Sequence, residues 1–190
     1  MTPTMDVLQI FRDCGALHEG HFRLSSGLHS SGYLQCALVL QHPAHAEALG
    51  YALGTALRDL EPTVVLSPAL GGLIIGHETG RALGLCAIFA ERQDSVLTLR
   101  RGFSLASTDR VVIIEDVVTT GGSTRETMAV ARAAGATVVG AGAIIDRSGG
   151  APNLDVPFRA LVPLTLPTYE PDACPMCKAG QPVTKPGSRA

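Results

Sequence analysis

Short continuous apolar runs alternate along this chain with longer segments of helical spacing. The clearest run, residues 111–114, is four β-branched residues in succession, as expected for a strand buried on both faces of a parallel sheet. Further strands are predicted at residues 63–66, 86–90 and 136–145. Helices are predicted at residues 43–58, 73–84 and 125–135. This alternation predicts an α/β fold with a doubly wound, mainly parallel sheet flanked by helices.

The two ends of the chain differ from its centre. Residues 4–18 predict a helix capped by Thr4. Residues 20–40 begin rich in Ser, Gly and His, typical of a loop or short hairpin, and predict a strand from Tyr33 onward. The segment after residue 150 carries too many prolines for a helix, although residues 159–164 predict an edge strand.

The length fits one domain, residues 1–190. We expect an N-terminal helix and small subdomain over about 1–40, a core α/β sheet over about 41–165, and a Pro-rich C-terminal tail over 166–190. The net charge of −2 gives no sign of a nucleic-acid partner. The polar N-terminus resembles neither a signal peptide nor an anchor, and no run reaches the roughly 18 apolar residues of a membrane span. A cytoplasmic location and no membrane partner are therefore expected.

The segment after the central strand carries the candidate chemistry. Glu115 and Asp116 fall where that strand should end, and residues 119–124 read TTGGST before a predicted helix. Glycines and hydroxyls at a helix N-terminus suit a phosphate, and paired carboxylates suit a vicinal diol. The loop lacks the P-loop lysine and is not GxGxxG. The alternative is an ordinary turn with exposed acids at the strand end.

The five cysteines give no clear metal site. Cys14, Cys36 and Cys86 are predicted to be reduced core residues because their contexts are apolar. Cys174 and Cys177 form a CPMC pair that suits half a zinc site or a redox pair. A zinc site needs two more ligands, and no second CxxC or HxxxH supplies them. We therefore predict no metal held by the protein alone.

Residues 111–124 resemble the motif that binds 5-phosphoribosyl 1-pyrophosphate (PRPP) in the type I phosphoribosyltransferases. Residues 15–36, GALHEGHFRLSSGLHSSGYLQC, resemble the substrate hood of the orotate phosphoribosyltransferases. SPALGG at residues 67–72 is similar to their pyrophosphate loop, and AIIDRSGG at residues 143–150 to the strand end whose arginine faces orotate. The chain thus resembles the short bacterial form of this family from about residue 5 to 178.

The resemblance implies transfer of phosphoribose from PRPP to orotate, with Mg²⁺ bound mainly through substrate oxygens, in a type I phosphoribosyltransferase fold with an N-terminal hood. The implied PRPP-binding residues are Glu115, Asp116, Val117, Val118, Thr119, Thr120, Gly121, Gly122, Ser123, Thr124, Ala69, Leu70, Gly71 and Gly72. The implied catalytic residues are Glu115, Asp116, Arg92, Arg100 and Arg101. The implied orotate-binding residues are Arg147, Thr120, Ser25, Ser26, Gly27, Tyr33 and Leu34.

Three cations of the family's better-known members are missing or moved. Ser25 and Gly71 stand where those members have lysines, and residues 91–103 form a shorter loop than their cation-rich one. Because that loop reaches a second subunit in the family, a homodimer is implied. Two alternatives stay open: a phosphoribosyltransferase for a purine, xanthine or uracil, and a non-catalytic PRPP-sensing regulator.

Overall fold

The structure is a computed structural model that describes residues 5–24, 26–150 and 152–185. The chain divides into two compact units. The terminal unit comprises Met1–Val39 and Thr165–Ala190, and the sheet unit comprises Leu40–Leu164. None of the described helices is long and apolar enough to cross a membrane.

The elements alternate as predicted over most of the chain. The helices are α1 (Val7–Asp13), α2 (Ala37–Leu40), α3 (Pro43–Leu57), α4 (Gly72–Leu83), α5 (Gly122–Ala133) and α6 (Pro175–Lys178). The strands are β1 (Leu17–Arg23), β2 (His29–Leu34), β3 (Val64–Pro68), β4 (Cys86–Gln93), β5 (Val96–Leu99), β6 (Arg110–Val118), β7 (Thr137–Asp146), β8 (Phe158–Pro163) and β9 (Thr168–Tyr169). Two short 3-10 helices cover Arg58–Leu60 and Pro171–Ala173.

The sheet unit is built on a six-stranded sheet in the order β5-β4-β3-β6-β7-β8. All neighbouring strands are parallel except the β4–β5 hairpin. The four β-branched residues of β6 are fully buried, and Met128 and Ala131 of α5 belong to the core cluster that contains Val111 and Ile113. The parallel sheet, the central position of β6 and the edge position of β8 confirm the predicted α/β fold.

The terminal unit contains a three-stranded antiparallel sheet in the order β1-β2-β9. The chain returns a second time near its end, because the Thr184 amide donates to the His21 carbonyl oxygen at 2.8 Å and the Arg23 amide donates to the Thr184 carbonyl oxygen at 2.8 Å. The N-terminal hairpin and the Pro-rich tail are therefore parts of one unit.

Several local predictions were wrong. The first helix ends at Asp13, because Gly15 takes a left-handed conformation (φ +61) and the chain continues as β1. Its cap is Asp6, whereas Thr4 lies outside the described residues. The strand predicted from Tyr33 onward ends at Leu34 and gives way to α2.

Three further corrections concern polar and irregular positions. The tail contains the short helix α6, which Pro175 can begin because its missing N–H is not needed in the first turn. Cys86 is exposed at the start of β4, so it is not a core residue as predicted. Glu115 and Asp116 lie inside β6, which continues to Val118, and do not mark its end.

Candidate active site

The predicted phosphate loops lie at the carboxyl ends of two adjacent parallel strands. β3 and β6 pair in parallel, with Leu66 opposite Ile113. β3 leads into α4 through residues 69–71, and β6 leads into α5 through residues 119–121. These loops therefore meet at one edge of the sheet, where open α/β sheets bind ligands. A cleft of about 160 Å³ lies there, lined by Pro68, Ala69, Gly71, Gly72, Arg92, Leu97, Glu115, Asp116 and Ser123.

Glu115 is a buried carboxylate held in place by the start of α5. Its Oε1 accepts hydrogen bonds from Ser123 Oγ at 2.8 Å and Thr124 Oγ1 at 2.9 Å. Burial is the main cause that raises the pKa of Glu115 to about 7, and the two hydroxyl donors oppose it. Among the described residues, Oε2 accepts no hydrogen bond, so this oxygen remains for a ligand.

Asp116 is half-buried beside the first loop. Its Oδ1 accepts a hydrogen bond from the Val117 amide at 2.9 Å, and burial raises the pKa of its carboxyl group above the ordinary value. A Cβ atom at Gly71 would lie 2.8 Å from Asp116 Oδ1, closer than real Cβ contacts. A side chain at residue 71 would therefore displace this carboxylate, which is a physical reason for glycine there.

The loop after β6 begins with two exposed residues and ends in a glycine that caps α5. Thr119 and Thr120 are exposed, and Gly121 caps α5 with φ +73. A Cβ atom at Gly121 would lie 2.6 Å from the Pro152 carbonyl oxygen, so glycine is required by both conformation and space. The first amides of α5 have no partner within the helix and are available to an anion.

Thr124 and Arg125 have roles that sequence reasoning missed. Thr124, predicted to bind PRPP, is buried and its hydroxyl is engaged with Glu115. Arg125 stabilises the loop after β6. Its Nη1 donates hydrogen bonds to the Thr120 carbonyl oxygen at 2.9 Å and to the Pro152 carbonyl oxygen at 3.0 Å. No sequence signal links Arg125 to Pro152, because their contact depends on the tertiary structure.

The three predicted pyrophosphate cations are placed differently. Arg92 lines the cleft and pairs with Glu126 at 2.7 Å. Arg101 makes a bidentate pair with Glu91 at 3.0 Å for each bond, and Arg100 Nη1 lies 3.7 Å from the same carboxylate. Of these arginines the structure brings only Arg92 to the cleft.

A larger cavity of about 250 Å³ lies elsewhere in the sheet unit. It is lined by Arg125, Met128, Arg132, Asn153, Leu154 and Asp155. It contains neither the paired acids nor the glycine loops, and Arg132 is neutralised there by Asp155 at 2.9 Å. We therefore assign the chemistry to the smaller cleft.

The predicted orotate-binding residues belong to both units. Ser26 and Gly27 lie in the turn between β1 and β2, where the Gly27 amide donates to the Leu24 carbonyl oxygen at 3.0 Å. In β2, Tyr33 is half-buried and Leu34 is buried. Arg147 follows β7 in the sheet unit, and its amide donates to the Val118 carbonyl oxygen at 2.8 Å. Ser25 lies outside the described residues, and this set stays a prediction.

The raised pKa of Glu115 predicts a specific pH dependence of stability. The folded carboxyl group (pKa about 7) holds a proton more tightly than the unfolded one (about 4.5). Its contribution to stability is therefore present below about pH 4.5 and lost as the pH rises to about 7, by on the order of 3 kcal/mol at most. Between pH 5 and pH 7.5 the urea unfolding midpoint of the unmutated protein should fall relative to that of Glu115→Gln.

Glu47→Gln is the matched control, because Glu47 is exposed on α3. This variant should follow the unmutated protein at both pH values. If the difference in urea unfolding midpoint between the unmutated protein and Glu115→Gln did not change between pH 5 and pH 7.5, the pKa of Glu115 would not be raised by folding.

The comparisons with known proteins agree on one family. Residues 38–162 match the model of the phosphoribosyl transferase domain. The orotate phosphoribosyltransferase of Heliobacterium modesticaldum is 51% identical over 96% of this chain and 97% of its own. That of Pelotomaculum thermopropionicum is 50% identical, covering 97% of each chain. The crystal structure of orotate phosphoribosyltransferase from Aeropyrum pernix superposes with a TM-score of 0.67 at 26% identity, covering 83% of this chain and 93% of the other. With the two acids of β6 and the two glycine loops in place, this chain belongs to the orotate phosphoribosyltransferase family.

Proposed function

We propose that this protein transfers the 5-phosphoribosyl group of PRPP to orotate, giving orotidine 5′-monophosphate and pyrophosphate in the biosynthesis of UMP. The observation that carries the proposal is that β6 holds two carboxylates, Glu115 buried and Asp116 half-buried, and that a helix N-terminus capped by Gly121 follows five residues after Asp116. This arrangement offers acceptors for a diol and donors for a phosphate at opposite ends of one sugar.

PRPP is placed with its ribose against the acids and its 5′-phosphate in the loop after β6. Glu115 Oε2 and Asp116 accept hydrogen bonds from the 2′ and 3′ hydroxyls. The amides at the start of α5 and the exposed hydroxyls of Thr119 and Thr120 hold the phosphate, where the helix dipole favours an anion. Ser123 and Thr124 act on the ribose indirectly, because they fix the orientation of Glu115.

Loss of pyrophosphate from the anomeric carbon builds positive charge on the ribose ring. Two carboxylates beside that ring stabilise the charge as it develops, and a site that excludes water strengthens this interaction. Burial raises the pKa of Glu115 to about 7 and raises the pKa of Asp116 above its ordinary value. Because sugar hydroxyls donate to the ionised carboxylates, PRPP binding lowers the pKa of both groups.

Mg²⁺ fits the donor set of the cleft. The ion prefers carboxylate, phosphate and water oxygens and rarely occupies a complete protein cage. The cleft offers the oxygens of Asp116 and Glu115, so pyrophosphate and ribose oxygens with water would complete the shell. When bound, the ion supplies positive charge to the departing pyrophosphate. Gly71 and Gly72 supply backbone without side chains to the same cleft, and Arg92 supplies a further cation.

Orotate carries a carboxylate and an imide edge, and its pocket therefore needs a cation and backbone donors. We assign the cation to Arg147 of the sheet unit, which also contains Thr120. That residues 25–27, Tyr33 and Leu34 contribute donors and ring contacts is what the family resemblance implies. Arg100 and Arg101 lie on the β4–β5 side of the sheet unit, and we propose that they act on pyrophosphate in a homodimer, as the family resemblance implies. The cytoplasm is the proposed location.

An ultraviolet assay of orotate loss tests the function. With PRPP and Mg²⁺, we expect orotate to be consumed and pyrophosphate released in equal amounts, whereas adenine, hypoxanthine, xanthine and uracil are not converted. Turnover of one of these bases in place of orotate would change the assigned substrate. Binding of PRPP without conversion of any base would instead support a PRPP-sensing regulator.

A further inference from the structure

The terminal unit brings four potential metal ligands together. Two come from the hairpin of β1 and β2, His21 and His29, and two from the tail, Cys174 and Cys177. Their donor atoms all lie within 4.8 Å of one another. The two further ligands that the sequence analysis did not find are therefore present as His21 and His29. They come from adjacent strands, and their HxxxxxxxH spacing resembles no zinc motif.

The donor separations lie close to those around a tetrahedral ion. His21 Nε2 lies 3.6 Å from Cys174 Sγ and 3.7 Å from Cys177 Sγ, and His29 Nδ1 lies 3.2 Å from Cys177 Sγ. Zinc bonds of about 2.0–2.1 Å to nitrogen and about 2.3 Å to sulfur give donor separations of about 3.3–3.8 Å. The two ring nitrogens are 2.8 Å apart, so an ion requires them to separate by about 0.5 Å.

A hydrogen bond to a backbone carbonyl fixes the tautomer of His21. His21 Nδ1 lies 2.9 Å from the Gln181 carbonyl oxygen, which can only accept a hydrogen bond. Nδ1 therefore carries the proton, and Nε2 directs its lone pair into the cluster. Metal-bound histidines are commonly oriented by such a second hydrogen bond.

Burial and local geometry also favour a closed site. Cys174 is fully buried, and His21 and His29 are only 5% and 6% exposed. Cys174 caps α6 and Cys177 lies within it, so the CxxC spacing presents both sulfurs from a single turn. Four protein donors with two thiolates suit a structural zinc ion and leave no open position for catalysis.

We propose that His21, His29, Cys174 and Cys177 bind one Zn²⁺ ion that fastens the C-terminal tail to the N-terminal hairpin. The site lies wholly within the terminal unit and goes beyond the proposed function. Its ligands are neither the acids nor the glycine loops of the cleft. Binding releases the protons of the two thiols, His29 binds as the neutral tautomer that carries its proton on Nε2, and no redox partner is needed.

The test uses the full chain, purified without chelators under reducing conditions. Elemental analysis should find about one zinc per chain. After removal of zinc by chelation, added Co²⁺ should produce the visible d–d absorption of a tetrahedral thiolate site, which the d¹⁰ zinc ion lacks. Both signals should disappear in Cys174→Ser/Cys177→Ser and persist in two controls, Cys86→Ser, which changes an exposed cysteine, and His42→Gln, which changes an exposed histidine.

Two features keep the test decisive if the double variant folds poorly. The first is that the cobalt spectrum is recorded on the unmutated sequence. The second is the single variant Cys177→Ser, which changes an exposed ligand. It should weaken Co²⁺ binding about tenfold or more and leave the circular dichroism spectrum unchanged. Absence of bound zinc together with no tetrahedral cobalt spectrum would overturn the proposal. So would a Cys174–Cys177 disulfide in the freshly purified protein, or equal zinc content in the unmutated protein and the double variant.

Discussion

Replacing Asp116 with asparagine is expected to lower kcat/KM for PRPP by about tenfold or more, equivalent to about 1.4 kcal/mol of transition-state stabilisation. Asparagine has nearly the same shape and can still accept the hydrogen bond that the Val117 amide donates to Asp116 Oδ1. It lacks the negative charge beside the ribose and one of the acceptors for the diol. Steady-state rates at saturating orotate, with circular dichroism as a check on folding, measure the effect.

Asp59→Asn is the matched control, because Asp59 is an exposed carboxylate that pairs with Arg159 and does not line the cleft. Its rates should equal those of the unmutated protein. Gly71→Ala tests the same carboxylate from the other side, since the added Cβ would lie 2.8 Å from Asp116 Oδ1. If Asp116→Asn had the same kcat/KM as the unmutated protein, Asp116 would not be part of the ribose site.

Replacing Arg147 with alanine is expected to raise KM for orotate by about tenfold or more while KM for PRPP changes by less than about twofold. The reason is chemical: orotate has a carboxylate that needs a fixed cation, whereas we propose that the amides of α5 hold the phosphate of PRPP. The backbone at Arg147 is tied to β6, because its amide donates to the Val118 carbonyl oxygen. The strand end should therefore keep its course in the variant.

The two KM values are measured in one preparation by varying each substrate at saturation of the other. Arg81→Ala is the control, since Arg81 is an exposed arginine on α4 that pairs with Glu47 and Glu78. It should leave both values unchanged. Equal increases for orotate and PRPP in Arg147→Ala would reassign this residue to general charge balance or to stability.

Local patterns predicted the sheet unit well. A run such as residues 111–114 has few alternatives to a doubly covered strand, because four adjacent β-branched side chains can be buried only when both faces are packed. The acids and the TTGGST loop follow directly in sequence, so their neighbourhood needed no tertiary information. Where the pattern was weaker, at residues 14–18 and 35–40, Gly15 and the start of α2 changed the outcome.

The sequence by itself determined the α/β alternation, the family resemblance and the order of acids, glycines and helix at the cleft, because each of these depends on neighbours along the chain. Only the tertiary structure decided how distant groups meet. Thr124 donates a hydrogen bond to Glu115, and Arg125 donates one to the Pro152 carbonyl oxygen. Arg101 pairs with Glu91 and does not line the cleft. The proposed metal site is the clearest example: its histidines and cysteines are separated by more than a hundred residues, and only the packing of the tail against the hairpin brings their donor atoms together.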